Sequence, residues 1–210
     1  MIIWIIGSMA SGKTTLNKGL ISCISHCRIG DGELIQGVEK GVDFMYTKFD
    51  DVASIGVMKD GVATCGIDPV MGKLKTTGVE LSIKKAHEEC DFVIVEGAQA
   101  AVTWLPFISN VDPNFLFVHL DLRYDDNIQR LKLRQYKKLH GTDPKDNEHL
   151  LMSITDKNYD SVIGKNKQYL NLWNKISGDI KNKIQVNALM SPANIMYSVI
   201  REINKITSND

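Results

Sequence analysis

The chain opens on an unbroken apolar run, Ile2-Ile3-Trp4-Ile5-Ile6, too short for an ordinary helix and rich in β-branched residues. A run of this kind marks a strand covered on both faces, as at the centre of a parallel sheet. Shorter apolar runs recur at Cys27–Ile29, Phe92–Val95, Phe115–Leu120 and Ile184–Val186. Between them, helical stretches are expected over 13–25, 78–89, 123–139, 147–177 and 191–205, the last opened by the start signal Ser191-Pro192. The alternation predicts an α/β fold, a three-layer α/β/α sandwich around a parallel five-stranded sheet. One segment breaks the rhythm: Val52–Met58 and Val62–Cys65, separated by Lys59-Asp60-Gly61, read as a β-hairpin inserted at 52–65 between the second and third strands.

With 210 residues and 43% hydrophobic content, the chain is expected to form one domain, 1–210, because no low-complexity tract divides it. Lysine plus arginine equal aspartate plus glutamate at 25 each, so no overall field drives the chain toward nucleic acid or membrane. The apolar start is too short for a signal peptide or a membrane span, and a cytoplasmic location is expected. Cys23, Cys27, Cys65 and Cys90 form no C-x-x-C pair and read as reduced thiols. Cys23, His26 and Cys27 lie close in sequence but lack two further ligands for zinc. Trp4 and His119 read as core residues.

The first apolar run leads directly into Gly7-Ser8-Met9-Ala10-Ser11-Gly12-Lys13-Thr14, which fits G-x-x-x-x-G-K-[ST] at every fixed position. An amphipathic stretch with Leu16, Leu20, Ile21 and Ile24 follows, completing the strand–loop–helix setting. This predicts ATP binding: backbone N–H groups of Gly7, Ser8, Ala10, Ser11, Gly12 and Lys13 cradle phosphate oxygens, with Thr14 and Thr15 on the first turn. Lys13 then neutralises the outer phosphates, and the Thr14 hydroxyl ligates Mg²⁺.

Other candidates follow from the rule that ligands gather at the carboxyl ends of parallel strands. Gly30-Asp31-Gly32-Glu33 follows the expected second strand, making Asp31 the first choice to orient an acceptor hydroxyl and Glu33 the second; Asp31 also suits a helix cap. Glu96 closes the strand Phe92–Val95 and is expected to hold Mg²⁺ or to act as base. Asp68, in Gly66-Ile67-Asp68-Pro69, is a candidate for reading substrate hydrogen bonds, or else a turn initiator. Arg130 and Arg134 share one helical face in a lid spanning 123–147, suited to stabilising transferring charge, with His140-Gly141-Thr142-Asp143-Pro144 at its tip. Asn187 follows the last strand, where an adenine ring commonly lodges.

The segment Ile3–Leu16 resembles the opening of adenylylsulfate kinases and related small P-loop kinases, and Gly30-Asp31-Gly32-Glu33 is similar to the Asp-Gly-Asp element of those enzymes. Glu33 stands where they have a second Asp, and a hairpin at 52–65 is foreign to them. Gly66-Ile67-Asp68 and Val95-Glu96-Gly97 look more like phage-encoded kinases, including those that phosphorylate 5-hydroxymethyluracil in DNA. The resemblance implies an ATP- and Mg²⁺-dependent phosphotransferase moving the γ-phosphate to a nucleotide-like acceptor. A hydroxymethylated base in DNA and a nucleoside monophosphate are the leading acceptors. DNA is a candidate partner because residues 123–138 hold six basic side chains against Asp125 and Asp126. A homodimer is compatible with this expectation, and a membrane partner is not expected. The rival class is a regulatory nucleotide-hydrolysing switch; it lacks a guanine-reading N-K-x-D, since Asn166-Lys167-Gln168-Tyr169 and Asn174-Lys175-Ile176-Ser177 both miss the Asp.

Overall fold

A computed structural model describes residues 1–61, 65–97, 104–153, 164, 167–175 and 178–208. All named strands join one sheet. The strands are β1 (Ile2–Gly7), β2 (Glu33–Glu39), β3 (Val42–Phe49), β4 (Val52–Ile55), β5 (Phe92–Glu96), β6 (Leu116–Asp121) and β7 (Lys183–Asn187), in the order β2-β3-β4-β5-β1-β6-β7. The helices are α1 (Lys13–Ile24), α2 (Met71–Glu89), α3 (Leu105–Val111), α4 (Tyr124–His140), helical residues 167–175 as α5, and α6 (Pro192–Thr207).

The opening apolar run is the central strand β1, paired in parallel with β5 on one side and β6 on the other. Its Ile2, Trp4 and Ile6 pack with Val79 and Ile83 of α2, Ile108 of α3, and Tyr169 and Leu172 of α5. Ile3 and Ile5 face the opposite layer, where Leu16, Leu20 and Ile21 of α1 meet Val199 and Ile203 of α6. Burial on both faces is why the run does not alternate. The three-layer α/β/α expectation therefore holds.

The strand count and the hairpin do not. Cys27–Ile29 is not a strand; residues Ile29–Asp31 form a 3-10 turn in which Asp31 Oδ2 accepts from the Arg28 N–H at 3.2 Å. The sheet gains a hairpin upstream instead, β2 antiparallel to β3 through Lys40-Gly41, both at positive φ. The expected first hairpin arm at residue 52 is β4, antiparallel to β3 but parallel to β5, so it belongs to the main sheet. Residues 62–64 of the expected second arm lie outside the described residues, while Val57 and Gly66 make a single antiparallel bridge. The sheet thus has seven strands, not five, and is mostly parallel.

Helix expectations fare better. α6 begins at Pro192 with the Ser191 hydroxyl accepting from the Asn194 N–H, and α4 ends at Gly141 in the left-handed conformation (φ 70°). α2 starts earlier than expected, at Met71, but is interrupted at Lys75 (φ 54°, ψ −175°). The long helix expected over 147–177 is replaced by a 3-10 turn at Glu148–Leu151 and by α5, with 154–163, 165–166 and 176–177 outside the described residues. Helix α3 was not expected.

An aromatic ladder seats α5: Trp4 meets Phe117 at 4.9 Å between centroids, Phe117 stacks on Trp173 at 5.6 Å, and His119 stacks on the same Trp173 at 5.4 Å. Burial drives the His119 pKa down to about 4, so this imidazole packs as a neutral ring. Cys65 and Cys90 are buried, Cys27 half-buried and Cys23 exposed, each as a thiol outside any disulfide. Among the described residues no helix is long and apolar enough to cross a membrane, and no group of three metal-ligating side chains occurs.

Candidate functional site

The loop between β1 and α1 is shaped by glycine. A methyl at Gly7 would lie 2.6 Å from Ser11 Oγ and 2.9 Å from the Leu120 carbonyl oxygen, so the loop closes only over a bare backbone. Gly12 (φ 97°, ψ 15°) makes the left-handed turn that launches α1, and Ala10 is also at positive φ, 59°. The Lys13 ammonium lies across the loop, donating to the carbonyls of Gly7 at 2.8 Å and Ser8 at 3.0 Å. Ser8 and Ser11 are buried, with hydroxyl oxygens that have no hydrogen-bond partner among the described residues. A concavity with spare buried donors beside a helix N-terminus fits phosphate oxygens.

At the loop's mouth, Thr14 donates to Glu96 Oε1 at 2.9 Å. Glu96 is 2% exposed, and burial is the main cause that pushes its pKa up to about 7. Lys13 and the Thr14 hydrogen bond pull the other way, and Asp68 adds to the rise. Around this carboxylate residues 65–70 are closely folded. The Ile67 N–H donates to the Glu96 carbonyl at 3.3 Å, and a methyl at Gly66 (φ 75°) would lie 2.9 Å from both the carbonyl oxygen and Oε1 of Glu96. A methyl at Gly97 would lie 3.0 Å from Asp68 Oδ1. Asp68 and Glu96 therefore share one corner, with Tyr169 of α5 beside them. Burial first, then the negative fields of Asp68 and Glu96, hold the Tyr169 hydroxyl well above its usual range. This phenol stays protonated.

The close fit at Gly66 is testable. Gly61, at φ 67°, has open space around it. Gly66→Ala and Gly61→Ala carry similar backbone strain, so the greater loss of stability expected for Gly66→Ala, about 1–3 kcal/mol beyond the control, measures its contact with Glu96. Equal denaturation midpoints for the two variants would mean that the loop yields freely.

Asp31 and Glu33 are elsewhere. The register runs from Glu33 to Lys48, from Lys48 to Ala53, from Ala53 to Val93 and from Val93 to Ile2, the start of β1. Both acids are thus at the amino ends of the parallel strands, about 16 Å below the glycine loop along β1. The expectation that they face the loop is corrected: Asp31 closes a turn onto Arg28, and Asp68 is the acid that the fold brings beside Glu96.

On the other side of the loop, α4 packs against it. Asn127 donates through Nδ2 to the Met9 carbonyl, and Arg130 donates to the carbonyls of Ala10 at 3.2 Å and Ala188 at 2.6 Å. Arg130 thereby ties the glycine loop to the turn after β7. Arg134 is exposed one helical turn further out, on the same face. The 3-10 turn Glu148–Leu151 lies back on α4, with Tyr136 donating to Glu148 at 2.5 Å and Lys132 to the Leu150 carbonyl at 2.8 Å. Asn187 is spent locally: its Oδ1 accepts from the Leu189 N–H at 2.9 Å, bracing that turn. Its neighbours Ala188, Met190 and Pro192, with Thr15, Leu16, Ile195, Arg130 and Arg134, line a cavity of about 1030 Å³ beside the loop. Sequence reasoning missed Asn127 and Tyr169. Asn127 lies three residues before Arg130 on the same face, a spacing that signals shared orientation, whereas Tyr169 is brought in by tertiary packing alone.

The fold and this loop together define an α/β protein with a strand–glycine-loop–helix unit at the centre of its sheet. No protein-family model and no curated protein matches the sequence. Among solved structures, the chain is similar to deoxyadenosine kinase from M. mycoides with the products dCMP and dCDP bound, at TM-score 0.46 and 15% identity over 98% of this chain and 100% of that one. The same kinase with dATP bound gives TM-score 0.43 and 14% identity, over 97% and 99%. Shikimate kinase from Acinetobacter baumannii in complex with shikimate gives 0.42 and 12%, over 97% and 93%.

Proposed function

We propose that the protein is an ATP-dependent phosphotransferase that moves the γ-phosphate to a nucleotide-like acceptor. The observation that carries this reading is the Thr14–Glu96 hydrogen bond at the mouth of the glycine loop, where the charges of both Lys13 and Asp68 act on the carboxylate. In this reading the loop N–H groups and Lys13 hold the triphosphate, and the cavity beside α4 receives the nucleoside. Arg130 and Arg134 place positive charge along the phosphates. Thr14 and Glu96 offer two hard oxygens 2.9 Å apart, the donor chemistry that Mg²⁺ prefers. When bound, Mg²⁺ would neutralise charge that develops on the phosphoryl oxygens. The acceptor hydroxyl would meet the corner of Asp68 and Glu96 across the loop from α4. A carboxylate there orients the hydroxyl for in-line attack and takes its proton.

Labelled γ-phosphate from ATP, offered with DNA containing hydroxymethylpyrimidines, with free nucleoside monophosphates and with adenylylsulfate, tests the reading. Label on DNA assigns a DNA-base kinase, and label on one free nucleotide assigns precursor synthesis. Slow hydrolysis of ATP or GTP with no labelled acceptor would overturn transfer in favour of a switch. For the DNA arm, binding is expected to weaken steeply as salt rises.

A further inference from the structure

The stripe of α4 that faces the cavity does not stop at Arg130. It continues through Leu133, Arg134, Lys137 and Lys138, two helical turns that carry the last of these about 12 Å along the axis from Arg130. The facing wall is apolar, made by Leu16, Met190, Pro192 and Ile195. Among the described lining residues there are four cations and no carboxylate. Arg130 is engaged by the carbonyls of Ala10 and Ala188, and Lys137 pairs at 2.5 Å with Asp143, whose side chain is 78% exposed; an exposed pair of this kind is worth little, so a ligand phosphate displaces the Asp143 carboxylate at small cost. The sequence as a whole is neutral, which makes this concentration of charge local.

A nucleoside does not explain it. Base and ribose are uncharged, and the apolar wall with a few hydrogen bonds suffices for them. The phosphates, on the present reading of the loop, lie at the other end of the stripe. Positive charge two turns away from the loop faces whatever hangs from the nucleoside end of the ligand. The cavity, at about 1030 Å³, lies at the upper end of the usual range for small-ligand sites and has room for more than a base and sugar.

We infer that the cavity binds a nucleotide carrying a second phosphate on its ribose, gripped by Lys137 and Lys138 at the outer end of α4. The inference rests on the nucleotide reading of the loop. The ribose phosphate has two sources, a free nucleotide phosphorylated on its sugar or the 3′-phosphodiester of an oligonucleotide end, and the chemistry recognised is the same.

Calorimetric titration of the full chain tests it with three probes: ADP, 3′-phosphorylated ADP, and ADP joined to a second nucleoside through its 3′-phosphate. Wild type is expected to bind the 3′-phosphorylated probe about tenfold or more tightly than ADP. The double variant Lys137→Gln/Lys138→Gln, altered at two exposed positions, is expected to keep the wild-type affinity for ADP and to lose the gain. A gain confined to the monoester assigns a free nucleotide; a gain shared by the diester assigns an oligonucleotide end. Equal affinity of wild type for ADP and both phosphorylated probes overturns the inference while leaving the loop's role intact, as does a gain that survives in the double variant. Failure of wild type to bind ADP at all would overturn the loop reading, and this inference with it.

Discussion

Lys13→Ala is expected to reduce phosphate transfer by about a hundredfold to a thousandfold while leaving the chain folded. The ammonium is the one positive charge inside the glycine loop, and it is held there by the carbonyls of Gly7 and Ser8. Removing it takes charge away from the point where the outer phosphates would accumulate negative charge in the transition state. Folding is largely spared, because β1 is set by burial on both faces and the turn into α1 by Gly12, neither of which involves the ammonium. There is a second consequence. Lys13 lowers the pKa of Glu96, so the variant's carboxyl will hold its proton to still higher pH. Labelled transfer alongside circular dichroism checks both parts, and full activity in a folded variant would remove the loop from the mechanism.

Glu96→Gln is the second large effect, and it has opposite signs for activity and stability. Transfer is expected to fall about a hundredfold or more, since the amide can neither take a proton nor serve as a charged metal ligand. Stability should move the other way at alkaline pH. In the folded protein this carboxyl titrates at about 7 against an unperturbed 4.5, because ionising it in a buried site is costly. Between those two values the native state binds more protons than the unfolded chain, so wild-type stability falls as pH rises from about 4.5 to about 7 and stays lower above. The difference is on the order of 3 kcal/mol, and Glu96→Gln should recover much of it at pH 8 while losing this pH dependence. Urea titrations of ligand-free protein at pH 5 and pH 8 measure this directly. The same ionisation predicts that wild-type kcat/KM rises through pH 7. A flat stability difference between the two pH values would show that Glu96 is ionised throughout.

The misread elements have identifiable physical causes. Strand β2 lies at the edge of the sheet, with most of its side chains exposed, so Glu33–Glu39 carries little hydrophobic pattern. Its partner β3 is reached through Lys40-Gly41, with Lys40 at φ 49° where the usual hairpin signal has Asn or Asp. Without that hairpin in view, Cys27–Ile29 was the nearest apolar run to serve as second strand, and Asp31 then took a place beside the ligand. Val52–Ile55 was legible as a strand, but its neighbours were not, since pairing with β5 is a contact between distant parts of the chain.

Sequence by itself determined β1, the glycine loop and the start of α1, because an all-apolar strand, a turn that only small residues permit and an amphipathic helix are local properties of consecutive residues. It determined the ends of α4 and α6 for the same reason, through Gly141 and Ser191. Tertiary structure alone decided which acids meet the loop. The sheet end on which a side chain falls depends on strand direction and register, and these are set by pairing across the sheet: one antiparallel ribbon takes Asp31 and Glu33 to the amino ends, while residues 65–70 fold Asp68 onto Glu96. Packing of Trp173 on Phe117 and His119 brings Tyr169 to the same corner, a placement no run of neighbouring residues encodes.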